Sequence, residues 1–271
     1  MPGYLSPEAL DQLIRKGKEQ SFLLVDVRPP SAYALDHIPG AVNLPASEID
    51  DHAFDADAWG TLVFYCRNGI RSKVAACIAE ENGFPGERVF NLSGGMNAYA
   101  GEILLDMPAL SIFPEEMSLA DLMVKAVNLE KGAGRFYREI SPLFEGTPAH
   151  VYLSGMEKTE IAHARTIYNT LAPLVKEQRS FSAVFEACKG DLVEGGRSTA
   201  EALALMTESC GNRREAILDF ALDMEFAAYD LYKNRGAKRV RVAGDLFISL
   251  AQAEKTHIAD ILKCIDIIEQ S

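Results

Sequence analysis

The sequence predicts two domains of different class: an α/β domain with a parallel sheet over residues 1–108, and an all-α four-helix bundle over 118–271. Residues 109–117 form the linker between them. Three observations carry this reading. Short apolar runs rich in branched residues alternate with helical spacing in the first part. Strand signals stop after Ser118. The helical part then repeats itself: Ala126-x-x-x-Glu130-x-x-Ala133-x-x-Phe136-Tyr137 recurs as Ala221-x-x-x-Glu225-x-x-Ala228-x-x-Leu231-Tyr232.

The first elements follow from pattern and length. Residues 7–16 have helical spacing. Residues 22–27 and 62–65 are short apolar runs that read as buried strands of a parallel sheet. Residues 71–81 again have helical spacing, and 89–92 form a third strand. Composition shifts near Pro108, where residues 108–114 carry two prolines. Ser118 followed by Asp121 three residues on reads as a helix N-cap. Four long helices fit the remainder, at about 118–140, 148–177, 212–234 and 239–269. The intervening stretch, 179–211, holds a Gly195-Gly196 turn and a short helix after Ser198. Two antiparallel helix pairs joined by one long crossover make the bundle of the ferritin-like type.

Composition narrows the function. A formal charge of −12 repels nucleic acid and anionic membranes but not cationic metals. No apolar stretch approaches the ~18 residues a membrane span needs. The N-terminus has no basic region followed by an apolar run, so no signal peptide is expected. Five scattered cysteines, at 66, 77, 188, 210 and 264, and no Cys-x-x-Cys suit free thiols in a reducing cytoplasm.

Cys66 stands apart from the other cysteines. It follows the strand ending at Tyr65 and precedes a helix, with Arg67-Asn68-Gly69-Ile70-Arg71-Ser72 between. A sulfur there sits in the positive end of the helix dipole, where loop N–H groups can point at it. Both effects favour thiolate over thiol. Arg67 and Arg71 add attraction for an anionic donor such as thiosulfate. Cys77, Cys210 and Cys264 read as inert buried residues, and Cys188 in the crossover is open to either reading.

Four separated motifs carry a resemblance over residues 1–108: Asp26-Val27-Arg28, His37-Ile38-Pro39-Gly40-Ala41, the Cys66-to-Arg71 loop, and Leu92-Ser93-Gly94-Gly95-Met96-Asn97-Ala98-Tyr99. In this order they resemble the rhodanese family. The resemblance implies a sulfurtransferase in which Cys66 carries a persulfide sulfur, within an anion and persulfide loop of Asn68, Gly69 and Ile70. It implies a six-residue loop of the sulfur-handling kind, with Asp26 and Arg28 supporting it and His37 in a structural role. The implied partners are a small sulfur donor, thiosulfate or a persulfide, and a thiol acceptor. Tyr99 departs from the tryptophan usual in the family.

The helical repeat carries a second chemistry. Each copy is followed by Glu-x-x-His, as Glu160 to His163 and Glu254 to His257, one helix face apiece. Glu130 and Glu225 lie among apolar neighbours, a costly place for a carboxylate unless it is paired or metal-bound. Four carboxylates and two imidazoles so placed are the ligand set of a two-metal centre in a bundle. Glu160 and Glu254 would bridge; Glu130 with His163, and Glu225 with His257, would each serve one metal. Iron fits the set, and manganese or zinc could also enter it.

This half resembles the rubrerythrin branch of the ferritin-like superfamily. The resemblance implies two iron ions, peroxide or oxygen as substrate, an external electron donor and a homodimer. Tyr137 and Tyr232 match aromatic residues beyond the metal glutamates, which either hydrogen-bond to the opposite carboxylates or pack. Two departures stand out. Ala228 and Tyr229 occupy the place of a further glutamate, and no Cys-x-x-Cys is present for a rubredoxin module. Glu157, with Ala251 as its repeat equivalent, reads as a surface residue or an extra ligand. Three functions compete: a bifunctional sulfurtransferase and peroxide or oxygen reductase, a sulfur or redox sensor or carrier with a mainly structural metal, and ferroxidase-type iron handling.

Overall fold

A computed structural model describes every residue except 1, 106, 115, 209–212, 238–242 and 271. Cys210 and the first residues of the helix expected at 239–269 lie outside the described residues. The chain divides into two compact units. The first takes Met1–Pro108 and Tyr232–Lys255, the second Ala109–Leu231 and Thr256–Ser271.

In the first unit, strand β1 (Gly3–Leu5) leads into helix α1 (Pro7–Lys16). Ser6 caps that helix by accepting from the Ala9 N–H at 3.2 Å, and Pro7 fits its first turn, where no N–H is needed. Strand β2 (Leu23–Asp26), helix α2 (Pro30–Tyr33), strand β3 (Ala41–Asn43), strand β4 (Leu62–Tyr65), helix α3 (Ile70–Glu81) and strand β5 (Val89–Leu92) follow. The sheet order is β1-β5-β4-β2-β3, and all four pairings are parallel.

Strands β2 and β4 are buried along their whole length, which is why they read as unbroken apolar runs. The three-residue strands β1 and β3 correct the expectation of three strands. Each lies at a sheet edge and is too short to show a period. The chain leaves β2 for one side of the sheet and β4 for the other. The carboxyl ends of β2 and β4, where Asp26 faces Tyr65, therefore border the crevice in which parallel sheets bind ligands.

The second unit is helical. Its long helices are α4 (Leu119–Ile140), α5 (Ala149–Val175), α8 (Arg214–Ala237) and α9 (Ala243–Glu269). The last two begin and end on opposite sides of the division between units. The crossover carries helices α6 (Phe181–Ala187) and α7 (Thr199–Glu208), one more than expected from the sequence. It lies directly on α4. A Cβ on Gly132 would overlap the Leu192 carbonyl, so only glycine permits this approach. Lys131 Nζ donates to the Phe185 and Cys188 carbonyls at 2.6 and 2.7 Å. Phe136, Leu153, Met156, Ile217, Met224 and Ile261 share one core.

Two lysines of the first unit are buried against one carboxylate. Lys233 Nζ lies 2.6 Å from Glu19 Oε2, and Lys255 Nζ contacts Glu19 Oε1. Lys233 also donates to the Glu19 and Phe22 carbonyls and sits over the rings of Phe22 and Trp59. Lys255 donates to the Gly17 carbonyl at 2.8 Å. Breaking a buried ion group by deleting one member leaves uncompensated charge. Glu19→Ala is therefore expected to lower the stability of this unit by about 3–5 kcal/mol. Urea unfolding followed by the fluorescence of Trp59, the single tryptophan, checks this. A midpoint equal to that of the unsubstituted chain would contradict it.

Candidate active site and candidate metal centre

Cys66 is fully buried at the carboxyl end of β4, and the loop after it folds back over its sulfur. The Gly69 N–H donates to Sγ at 3.2 Å, and the Ser72 hydroxyl donates to it at 3.3 Å. Burial alone would raise the thiol pKa. The Ser72 hydroxyl and the backbone N–H groups of the loop and first helical turn outweigh it and hold the pKa below its ordinary value. Gly69 has φ +87° at the start of α3, which aims its N–H at the sulfur.

The loop is locked from β5 and the turn beyond. Asn91 Nδ2 donates to the Gly69 carbonyl at 2.9 Å, and the Met96 N–H to the Cys66 carbonyl at 2.8 Å. Gly95 has φ +58°, and a Cβ there would collide with the Cys66 carbonyl and the Gly69 nitrogen. The Gly94-Gly95 pair thus serves close packing against the cysteine loop. On the other side, Arg28 and Asp26 form a buried bidentate pair, with Arg28 Nη1 also 2.7 Å from Asp36 Oδ1. These contacts hold the Arg28 pKa above its usual value although burial opposes it. Arg28 lies 5.7 Å over the Tyr65 ring, directly before Cys66. His37 is buried, stacked on Tyr33 at 4.1 Å.

Arg67, Asn68, Ile70 and Arg71 are exposed, and Asn68 Oδ1 accepts from the Ile70 N–H at 3.3 Å. Ser72 is the contact that the sequence reading did not assign. A hydroxyl in the first turn of the helix after the cysteine was its signal. Cys188 and Cys264 are buried, and burial raises both thiols, Cys264 to about 12. Cys77 is partly exposed.

Glu130 on α4, Glu160 and His163 on α5, Glu225 on α8, and Glu254 and His257 on α9 are all buried. Within the second unit, ligating atoms of Glu160, His163 and His257 lie within 4.8 Å of one another. Glu160 reaches both histidines, with His163 Nδ1 at 3.4 Å and His257 Nδ1 at 3.1 Å. His257 Nδ1 is also 3.1 Å from Glu225, and His163 Nδ1 is 3.4 Å from Glu130. The imidazoles stack with centroids 5.0 Å apart.

The Tyr137 hydroxyl donates to Glu225. Burial, then the charge and hydrogen bond of Glu225, raise its pKa well above the usual phenol value. Tyr232 is buried and stacked on Phe247 at 5.8 Å. Glu157 is half-exposed, lies 3.5 Å from Arg138 and is not part of that group.

Burial and the mutual charges of these groups set the electrostatics of the cluster. Burial raises Glu130 to about 7, although His163 opposes it. Burial also disfavours charged His257, but Glu160 and Glu225 raise its pKa well above normal. Burial would raise Glu160 as well, and His257 and His163 together hold it low instead. Hard oxygen donors and imidazoles, buried and converging, are the donor chemistry that a pair of divalent cations requires. The residues present fit such a pair.

Ser72→Ala removes one donor to the sulfur while leaving the loop backbone intact. The depressed thiol pKa is expected to rise, moving the midpoint of Cys66 alkylation by iodoacetamide to higher pH. An unmoved midpoint would show that the hydroxyl does not stabilise the thiolate.

Comparison with known proteins agrees with the loop. A rhodanese-like domain model matches residues 6–102. The thiosulfate sulfurtransferase GlpE of Pseudomonas fluorescens is 37% identical over 82 residues, covering 30% of this chain and 73% of that protein. A sulfurtransferase of Allochromatium vinosum is 35% identical over 100 residues, covering 37% of this chain and 90% of that protein. The adenylyltransferase and sulfurtransferase MOCS3 of Drosophila persimilis is 33% identical over 101 residues, covering 35% of this chain; the chain spans only 22% of that protein's length. It spans 51% of the putative sulfur carrier protein YrkF of Bacillus subtilis. Through its N-terminal α/β domain, the chain belongs to the rhodanese-like family.

Proposed function

We propose that the protein is a rhodanese-type sulfurtransferase in which Cys66 carries sulfane sulfur as a persulfide. The observation that carries this reading is the sulfur itself, buried yet met by the Gly69 N–H and the Ser72 hydroxyl. With thiosulfate as donor, the Cys66 thiolate attacks the outer sulfur. The new S–S bond forms as the old one breaks, and sulfite leaves with the bonding pair. Arg67 and Arg71 attract the dianion. The two donors that lower the thiol pKa also bear on the persulfide formed. A thiol acceptor then takes the outer sulfur and returns Cys66 to thiolate.

Cys66→Ala is expected to abolish sulfur transfer from thiosulfate to dithiothreitol, with the far-ultraviolet circular dichroism unchanged. Retained transfer would sink the reading.

The second half of the proposal concerns Glu130, Glu160, His163, Glu225, Glu254 and His257. It is supported by the contacts within the second unit, where Glu160 reaches both histidines and Glu130 and Glu225 each reach one. These residues would hold two metal ions. Iron there would supply redox chemistry toward peroxide or oxygen, drawing on an external electron donor. Tyr137 would hold the Glu225 carboxylate in its orientation. A structural metal serving a sulfur or redox carrier is the competing reading, and turnover of peroxide with a competent reductant separates the two.

His257→Ala, which removes one imidazole, is expected to lower bound iron from about two ions per chain by half or more. Elemental analysis of the purified chain checks it, and sulfur transfer by Cys66 should persist. A chain that binds no metal on titration with ferrous iron would refute this half and leave the sulfurtransferase reading untouched.

A further inference from the structure

The surface beside Cys66 is built for more than a small acceptor. Helix α3 presents Ile70 and Val74 to solvent one turn apart, 68% and 58% exposed. Tyr4 of β1 is 60% exposed, with Lys73 Nζ 5.9 Å from its ring centroid, so the helix face continues onto the sheet edge. Arg67, Arg71 and Lys73 are exposed on the same loop and helix. From Cys66 to Ala79 the chain contains no Asp or Glu, in a protein whose formal charge is −12. An apolar centre of branched and aromatic side chains with a cationic rim is the composition of a protein-binding patch. Thiosulfate or a small thiol needs the arginines and gains nothing from Ile70, Val74 or Tyr4. A polyanion such as nucleic acid would leave those three side chains unused.

We infer that the acceptor of the Cys66 sulfur is a protein segment that presents its thiol among acidic and apolar residues and docks on Tyr4, Ile70, Lys73 and Val74. This rests on Cys66 being a persulfide carrier and names the class of its acceptor. In the transfer, the acceptor thiolate attacks the outer sulfur of the persulfide. The S–S bond to Cys66 breaks and its electron pair returns to Sγ. The acceptor leaves as a persulfide, and no oxidant or reductant is consumed. Opposite charge around the thiol would orient it over the loop and speed encounter.

The test uses the full chain loaded with thiosulfate and two short synthetic peptides, each with one cysteine. One peptide flanks it with Asp, Glu and Leu, the other with Lys, Arg and Leu. Peptide persulfide is followed by mass spectrometry, with dithiothreitol as the small acceptor. The acidic peptide is expected to show a kcat/KM about tenfold or more above the basic one at low salt, narrowing as salt rises. Lys73→Glu and Val74→Glu should each remove most of that preference through KM and leave the dithiothreitol rate unchanged. Equal rates for the two peptides, or a preference that survives both substitutions, would overturn the docking surface. Failure of the chain to load any sulfur would instead overturn the persulfide reading beneath it.

Discussion

A charge taken out of water must be met by fixed partners, and this chain is organised around that constraint. The Cys66 thiol can be buried and still have its pKa held below the ordinary value because the Gly69 N–H and Ser72 hydroxyl point at it. Neither donor could be there without the geometry that surrounds them. Gly69 adopts a left-handed conformation, Gly95 allows the next turn to touch the loop backbone, and Asn91 ties the Gly69 carbonyl to β5. Asp26 and Arg28 neutralise each other, with Arg28 over the ring of Tyr65, the residue before Cys66. The same rule governs Glu19 with its two lysines, and the carboxylate–imidazole cluster of the helical unit.

The topology decides where this chemistry falls. Parallel pairing brings the carboxyl ends of β2, β4 and β5 to one edge, so that Asp26, Cys66 and Leu92 with its glycine turn arrive together. A helix begins immediately after the loop and adds its dipole to the N–H groups. Along the long helices, one turn of spacing places Glu160 with His163, and Glu254 with His257, on single helix faces. Glu130 and Glu225 then reach the same pairs from other helices.

Much of this was legible in the sequence, and the reasons for what was not are physical. The buried strands β2, β4 and β5 announced themselves as apolar runs, whereas β1 and β3 are three residues long and have no period to detect. Helix α6, capped by Ser180, is seven residues, too short for its period to stand out. Cys66 was visible from its place between strand and helix, and the six candidate ligands from the internal repeat. Ser72 was invisible as a donor because its role depends on how tightly the helix turns back over the sulfur. The pairing of Lys233 with Glu19 joins residues 214 positions apart. A lysine among Leu231, Tyr232 and Gly236 was a hint of burial, but nothing local could name its partner.

The central claim is that one sulfur atom, Sγ of Cys66, is held as a thiolate to receive another. Peptide mapping by mass spectrometry after brief exposure of the intact chain to thiosulfate tests it most directly. The account predicts one added sulfur on the peptide containing Cys66, and none on those containing Cys77, Cys188 or Cys264. Sulfur on any of those three in preference to Cys66, or on none of the cysteines, would contradict it.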